Sequence, residues 1–223
     1  MTSDPTPPST RTRVQRLPDR GRYDRGTIDA ILDEALVAHV GFTTAEGPSV
    51  VPTACWRGGD EVYVHGSSAS RLVQALREGN PCCLCATLLD GVVFARSGFH
   101  QSVNYRSVVV YGTAREIVET DEKLAALEAF TNRIAPGRWE ELRPPTSQEL
   151  RATGVFALPL DEASAKVRTG GPVDDEPDYA LPIWAGVLPL GMAVGDPIAD
   201  PKLTSEIAAP DAITHLRQQW RGA

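Results

Sequence analysis

Alternation of apolar and polar side chains fills the middle of the chain and predicts β-strands rather than helices. The strand-like runs are short, rich in β-branched residues and bounded by Gly, Asp or Asn: VAHVGFTT, SVVPTACWR, EVYVHG, CCLCATLL, VVFARS and NYRSVVVYGTAREIV. The dipeptides Gly58-Gly59 and Asp90-Gly91 each separate two such runs, which predicts two tight hairpins. A last run, GVFALPLDEASAKVR, is predicted to form a final core strand.

Helical periodicity is confined to a few stretches. TIDAILDE has Thr27 as its predicted N-cap, RLVQAL gives a short helix over 69–78, and DEKLAALEAFTNRI ends before Pro136-Gly137. Because a parallel sheet needs a long helix after nearly every strand, this pattern favours a small antiparallel barrel of six or seven strands.

The ends of the chain differ in composition from the middle. Residues 1–22 are rich in Pro, Ser, Thr and Arg, include the basic string RTRVQRLPDRGRYDR, and predict a mobile N-terminal arm. Residues 23–168 are predicted to form the barrel domain. Residues 169–223 are rich in Pro, Gly and Asp around an apolar island at 179–190, which predicts an extension wrapping the barrel or a partner subunit.

Charge and hydropathy narrow the possible partners. The 223 residues carry a net charge of -7, which argues against nucleic-acid binding. No apolar run approaches the ~20 residues of a membrane span, and MTSDPTPPSTRTR lacks the apolar core of a secretory signal. The sequence therefore predicts a cytoplasmic protein without membrane partners.

The cysteines do not have the spacing of a metal site. Cys82, Cys83 and Cys85 lie in one strand-like run, and Cys55 stands alone. We expect buried, reduced thiols and no metal. His39 lies among apolar residues and is predicted to be a core histidine.

The stretch Tyr63–Arg71, YVHGSSASR, carries the most suggestive chemistry. A strand ends at Gly66, serines follow, and Arg71 opens a helical pattern. Serine hydroxyls and a guanidinium beside free backbone N–H groups suit a phosphate. The same serines would also serve as an ordinary helix N-cap, and the local sequence allows both interpretations.

Taken in order, the hairpins, HGSSASR, VPTA and NYRSVVVYG resemble the FMN-binding split-barrel flavoproteins. Within these the chain is most similar to the pyridoxamine 5'-phosphate oxidase-like group that includes nitroimidazole reductase relatives. The resemblance covers about residues 20–190. It implies a mainly β (α+β) fold, a six- to seven-stranded antiparallel split barrel with flanking helices, and FMN bound at a homodimer interface.

The resemblance also implies where the flavin lies. The residues implied to contact FMN are Val51 and Thr53 beside the ring, His65 and Gly66 at the ring or ribityl chain, Ser67, Ser70 and Arg71 at the phosphate, and Arg106 and Ser107 as further polar contacts. The lysine that is common near the phosphate in this family is absent, since Leu72 follows Arg71.

The substrate is less defined than the cofactor. His100 and Trp184 are candidates for a substrate pocket, and Arg96 flanks the same loop. The arginine-and-histidine pattern that holds substrate in true pyridoxamine 5'-phosphate oxidases is absent near the C-terminus, so that activity is not expected.

We expect instead an oxidoreductase acting on a small organic molecule, with a nicotinamide donor or the substrate reaching an open flavin face, and we assign no catalytic residue. A non-catalytic flavin carrier or sensor is one alternative. Another is the same barrel holding a deazaflavin or haem, although no axial ligand for a haem stands out above His65 and His100.

Overall fold

The strands pair antiparallel throughout in a computed structural model that describes residues 6–203, 207–213 and 216. They are β1 Gly21–Arg22, β2 Val37–Thr44, β3 Gly47–Gly58, β4 Glu61–Ser67, β5 Cys82–Phe94, β6 Ser102–Gly112, β7 Arg115–Glu116, β8 Thr153–Pro159, β9 Ala163–Arg168 and β10 Gly186–Pro189. Their order in the sheet is β1-β9-β6-β5-β2-β3-β4-β8-β7, with β10 beside β5. The predicted mainly β split barrel is confirmed, and the higher strand number includes β1, β7 and β10, which have only two to four residues each.

The sheet changes partner in the middle of β3. Its first part, 47–54, pairs with β2, whereas 55–58 pairs with β4. Pro52 lies opposite His39 of β2, and no strand of the described residues pairs with its other side. A residue without a backbone N–H is tolerated there.

The helices pack against the sheet in two places. They are α1 Arg25–Glu34, α2 Arg71–Arg77, α3 Thr120–Ile134, α4 Arg138–Glu141 and α5 Ser147–Ala152, with short 3-10 helices at Pro18–Arg20 and Glu176–Ala180. Helices α1 and α2 contribute to the main core, and α3 packs on the opposite face of β3, β4 and β8. The predicted start of α1 is wrong. Its N-cap is Asp24, whose carboxylate accepts the Thr27 N–H at 2.7 Å, and this bond lowers the pKa of Asp24.

The core is the inner face of the barrel. Inward residues alternate along each strand, as Val40 and Phe42 do in β2 and Val108 and Val110 in β6, and α1 and α2 add Ile31 and other apolar side chains. A second buried cluster gathers around Trp56, between β3, β8 and α3. Outside the area under α3, the outer face of the sheet stays exposed at residues such as Val37, Val50 and Leu89.

Two predicted connections are wrong. Asp90-Gly91 does not turn the chain, because β5 runs through it with a bulge between Leu89 and Gly91. The turn between β5 and β6 is the loop 95–101. The predicted final strand is two strands, β8 and β9, which separate at residues 160–162.

His39 and the cysteines also depart from the prediction. His39 is exposed on the outer face of β2, since the inward residues of that strand are Ala38, Val40 and Phe42. All four cysteines are free. Cys55 and Cys82 are buried, which raises the pKa of each thiol to about 11, whereas Cys83 and Cys85 are partly exposed.

The N-terminal segment lies against the barrel. In the described part of the predicted arm, Thr12 is 2% exposed, Ser9 donates to Glu162, and the Tyr23 hydroxyl accepts the Val14 N–H at 2.9 Å. At the other end, β10 extends the sheet beside β5 of the same chain. Among the described residues, none of the helices is long and apolar enough to span a membrane.

Candidate functional site

The predicted cofactor residues of β3 and β4 lie side by side. The Thr53 hydroxyl donates to the main-chain oxygen of His65 at 3.1 Å, although β3 and β4 pair formally only from Cys55 onward. Val51 lies two residues before Thr53 in β3 and packs against the main core. This bond fixes the end of β4 relative to the middle of β3, so the stretch that follows has a defined position.

The serines of HGSSASR form a tight turn into α2. The Ser70 N–H donates to Ser67 O at 2.9 Å, and Ser68 is held by its N–H bond to Ala152 O at 2.8 Å. The Ser70 hydroxyl accepts the Val73 N–H at 3.3 Å, so Ser70 is the N-cap of α2. The helix-cap interpretation is confirmed for Ser70, and the phosphate interpretation stays a prediction.

Arg71 is one of several arginines whose guanidinium has no ion pair among the described residues. It is exposed at the first position of α2. One and a half turns further on, Arg77 pairs with Glu116 at 2.6 Å. At Gly66, a Cβ would lie 3.3 Å from Val73 Cγ2 and 3.6 Å from Ser70 Oγ, so this glycine lets the strand approach the start of the helix.

His65 is half-buried between aromatic rings. Its ring centroid lies 4.8 Å from that of Phe130 and 5.7 Å from that of Trp56. The Nδ1 atom is buried and makes no hydrogen bond within the described residues. Burial lowers the pKa of His65, which favours the neutral ring at pH 7.

Arg106 and Ser107 belong to a different part of the sheet. They lie on β6, which is separated from β3 by β5 and β2. The Arg106 guanidinium donates to Asp90 at 2.8 Å and to Glu34 at 2.9 Å, and these bonds raise its pKa. The Ser107 hydroxyl donates to Lys166 O at 3.3 Å. Within one chain, the nine predicted cofactor residues therefore form two groups.

The loop 95–101 carries the predicted pocket residue His100. Gln101 closes the loop by bonding both the N–H and the carbonyl of Ala95. The atoms Arg96 Nε, Ser97 Oγ and His100 Nε2 are buried without a hydrogen-bond partner in the described residues. His100 Nε2 lies 3.4 Å from a carboxylate oxygen of Asp175, but without the geometry of a hydrogen bond. Unpaired polar atoms in one loop are a reason to expect a ligand.

The C-terminal extension lies against the same loop. Asp174 has a fully buried side chain that accepts from the Arg96 N–H and guanidinium, both at 3.0 Å. Trp184 packs on Phe94 at 5.8 Å and is 70% exposed, and Phe99 is 88% exposed. Sequence reasoning missed Asp174, and the acidic run that contains it gave no sign that one carboxylate would be buried.

The sequence comparison identifies one family. The family model described as pyridoxamine 5'-phosphate oxidase matches residues 24–167. No curated protein sequence matches the chain.

Two solved structures are similar over nearly the whole chain. The flavocytochrome Anf3 from Azotobacter vinelandii is 46% identical with a TM-score of 0.91, and the match covers 95% of this chain and 98% of that one. The FAD and heme binding protein from Mycobacterium smegmatis is 38% identical with a TM-score of 0.84, over 88% of this chain and 96% of that one.

A more distant structure shares the fold. A protein from Bacteroides thetaiotaomicron, described as a candidate 5-nitroimidazole antibiotic resistance protein, is 23% identical with a TM-score of 0.56, over 66% of this chain and 86% of that one.

Proposed function

The chain belongs to the pyridoxamine 5'-phosphate oxidase family, and from that premise we propose that it is a redox protein that binds a flavin and a haem. The observation that carries this proposal is the similarity, over 95% and 88% of the chain, to a flavocytochrome and to an FAD and heme binding protein. The flavin supplies hydride or single-electron chemistry and the haem supplies single-electron chemistry.

The residues of HGSSASR fit the phosphate end of a flavin. Arg71 is an exposed cation that no carboxylate of the described residues neutralises, and the Ser67 side chain is also exposed. A guanidinium and hydroxyl groups are suitable donors to a phosphate. In this proposal, Arg71 binds the phosphate. Thr53 holds the end of β4 in place through its hydrogen bond to the His65 main-chain oxygen.

One of two histidines, His65 or His100, would hold the haem iron in this proposal. Iron binds an imidazole nitrogen, and the buried atoms His65 Nδ1 and His100 Nε2 make no hydrogen bond within the described residues. Phe99, 88% exposed with its ring centroid 5.1 Å from that of His100, adds aromatic surface that a porphyrin would cover. One of these two histidines is the ligand in this proposal.

The identity of the flavin follows from the same comparison. The family resemblance implies FMN, whereas the relative from Mycobacterium smegmatis is an FAD binding protein. We propose FAD for this chain. The flavin exchanges electrons with a small-molecule substrate or a nicotinamide. Arg106 has a structural role in this proposal, because its guanidinium is bonded to Glu34 and Asp90.

Assembly as a homodimer completes the proposal. The two groups of predicted cofactor residues lie on different parts of one sheet, and a second copy would bring β6 of one chain to β3 and β4 of the other. The outer face of the barrel exposes 51% of Val37, 65% of Val50 and 50% of Leu89. Such a surface is typical of an interface between subunits.

Spectroscopy of the purified protein tests the proposal. We expect flavin bands near ~450 nm and a haem Soret band near ~410 nm, and denaturation should release FAD. The variants His65→Ala and His100→Ala identify the axial ligand, with the exposed His39→Ala as the control. One of the first two should lose the Soret band while His39→Ala keeps it. Absence of both chromophores from the protein reconstituted with haem and FAD would overturn the proposal.

A further inference from the structure

A pocket of about 390 Å³ lies between α3, α4 and α5, and the function proposed above does not use it. Its apolar wall is formed by Leu127, Trp139, Leu142, Pro145 and Leu150. A pocket of this size with a mainly apolar and aromatic lining is typical of a site for a small molecule.

The polar part of the lining carries no net charge. The Arg143 guanidinium donates to both carboxylate oxygens of Glu149, one of them at 2.9 Å. Thr153, the third polar residue of the lining, donates its hydroxyl hydrogen to Glu149 O at 2.9 Å, so its oxygen is left to accept. The pocket therefore suits an uncharged group that has apolar faces and a hydrogen-bond donor on its edge.

Hydrogen bonds between the surrounding elements give the pocket a fixed shape. The Lys123 ammonium of α3 donates to Leu150 O at 3.4 Å and to Thr153 O at 3.1 Å. The Trp139 N–H of α4 donates to Asn132 Oδ1 of α3 at 3.0 Å. Because the walls are held in place without a ligand, little conformational entropy is lost when one binds.

The pocket lies directly beside HGSSASR. Thr153 is paired with Ser67 across β8 and β4, and Ala152 O accepts the Ser68 N–H at 2.8 Å. Side chains of directly opposed residues in an antiparallel pair project from the same face, with their Cβ atoms about 5 Å apart. The Ser67 hydroxyl and the pocket are therefore neighbours on one face of the sheet.

Together, these two neighbouring features are suited to a nucleotide. HGSSASR offers hydroxyl groups and the Arg71 guanidinium, which suit a phosphate. The pocket offers the indole of Trp139, and a nucleobase stacks well on an aromatic ring. Adenine has an exocyclic amino group, which is the donor that the Thr153 oxygen can accept from. The flavin ring does not need the pocket, since the resemblance places that ring beside Val51 and Thr53.

We propose that the pocket binds the adenosine group of a dinucleotide. Two sources have this chemistry. One is the FAD of the proposed function, on which this source rests, and the pocket would then favour FAD over FMN, which ends at its single phosphate. The other is a separate nicotinamide dinucleotide, and this source does not depend on a bound flavin or haem.

Two variants change the pocket in different ways. Trp139→Ala removes the stacking surface, with Trp139→Phe as its control, because phenylalanine keeps an aromatic ring. Leu142→Glu places a carboxylate in the pocket wall. Its control is Ile134→Glu, because Ile134 is 44% exposed against 42% for Leu142 and is not one of the residues lining the pocket.

Fluorescence titrations of the full chain measure the affinities. FAD and FMN are titrated into flavin-free protein, and NADH is titrated into the protein as purified. Circular dichroism checks that each variant is folded. Leu142 is partly exposed, so Leu142→Glu carries the test if Trp139→Ala does not fold.

If FAD is the source, Trp139→Ala and Leu142→Glu bind FAD about tenfold or more weakly and keep the FMN affinity of wild type. If a nicotinamide dinucleotide is the source, the NADH affinity falls by a similar factor and both flavin affinities are unchanged. In either case, Trp139→Phe and Ile134→Glu bind all three ligands nearly as wild type does.

Three results contradict this inference. The first is unchanged affinity for both FAD and NADH in the two pocket variants. The second is an equal loss for FMN and FAD, since FMN has no adenosine. The third is an equal loss in Ile134→Glu, which would show that only net charge matters.

The visible spectrum separates this inference from the proposed function. A protein with flavin and haem bands whose pocket variants keep their FAD and NADH affinities contradicts the adenosine site alone. A protein without either chromophore whose pocket variants lose NADH affinity contradicts the proposed function alone.

Discussion

At the scale of single residues, the sequence indicates chemistry but not which partner a side chain finds. Ser70 was recognisable as a cap or a phosphate contact because both uses need a hydroxyl before a helix. Arg106 was placed at the flavin, yet Glu34 lies 72 positions away in sequence and binds it at 2.9 Å. The apolar neighbours of His39 predict a core position, but alternation along β2 turns Ala38, Val40 and Phe42 inward and His39 outward.

Replacement of Arg71 tests the phosphate end of the site. Arg71→Ala should weaken FAD or FMN binding about tenfold or more and leave riboflavin binding nearly unchanged, because riboflavin has no phosphate for a guanidinium to bind. Flavin fluorescence titration measures both affinities. Arg77→Ala is the control from the same helix, since Arg77 pairs with Glu116. Equal losses for both ligands would remove Arg71 from the phosphate site.

The burial of His65 predicts a pH dependence of stability. Its pKa is lowered in the folded state, so the unfolded chain binds a proton first as the pH falls below ~6.5. The folded protein keeps the His65 ring neutral, so its unfolding free energy is unaffected above that pH and falls as the pH decreases. Urea denaturation from pH 7.5 to 5 should show wild type losing stability relative to His65→Gln. A constant difference across this range would contradict the prediction.

At the scale of elements, the presence of a helix or strand was easier to predict than the residues at which it begins and ends. The long helix α3 and the alternating strands were evident, because period and length agree over many residues. Asp90-Gly91 has the composition of a hairpin turn, but long-range pairing of Gly91 with Asn104 and with Pro189 keeps β5 extended there. Tertiary pairing overrode a local turn preference that involves only two residues.

The backbone of β8 lies close to the side chains of α2 at Gly154. A substitution at this glycine tests how closely the two elements pack. A Cβ there would lie 2.7 Å from Val73 Cγ1 and 3.2 Å from Phe156 Cε2. Gly154→Ala should therefore cost about 1–3 kcal/mol of unfolding free energy through overpacking. Gly191→Ala is the control, because nothing lies within 4 Å of its added methyl group. Urea denaturation measures both, and equal stabilities would contradict the prediction.

At the scale of the whole molecule, the sequence predicted the barrel but not how the ends of the chain pack on it. Composition made residues 1–22 look like an arm, because the segment has few apolar side chains. Its contacts come from single residues instead, such as the buried Thr12 and the bond from Ser9 to Glu162. Contacts of this kind have no periodic signature.

The proposed dimer predicts that a charge introduced at one exposed valine separates the subunits, whereas a charge at another valine of similar exposure does not. Val50 is 65% exposed on the outer face of β3, and Val118 is 68% exposed between β7 and α3. Val50→Asp should reduce the mass in light scattering from twice the chain mass to 24.0 kDa, because a charge would be buried at the interface. Val118→Asp should stay dimeric. A monomeric wild type at micromolar concentration would refute the shared-site proposal.

The pairing of β4 with β8 also determines when the candidate site can form. The stretch HGSSASR is held by Gly66 opposite Gly154 and by the bond from Ser68 to Ala152, so residues far apart in the chain must meet first. Closing so long a loop is slow compared with forming the β5–β6 hairpin. During synthesis, the first half of the barrel therefore emerges before HGSSASR can be held in place. Under the proposed function, we expect cofactor binding to follow the arrival of the last strands.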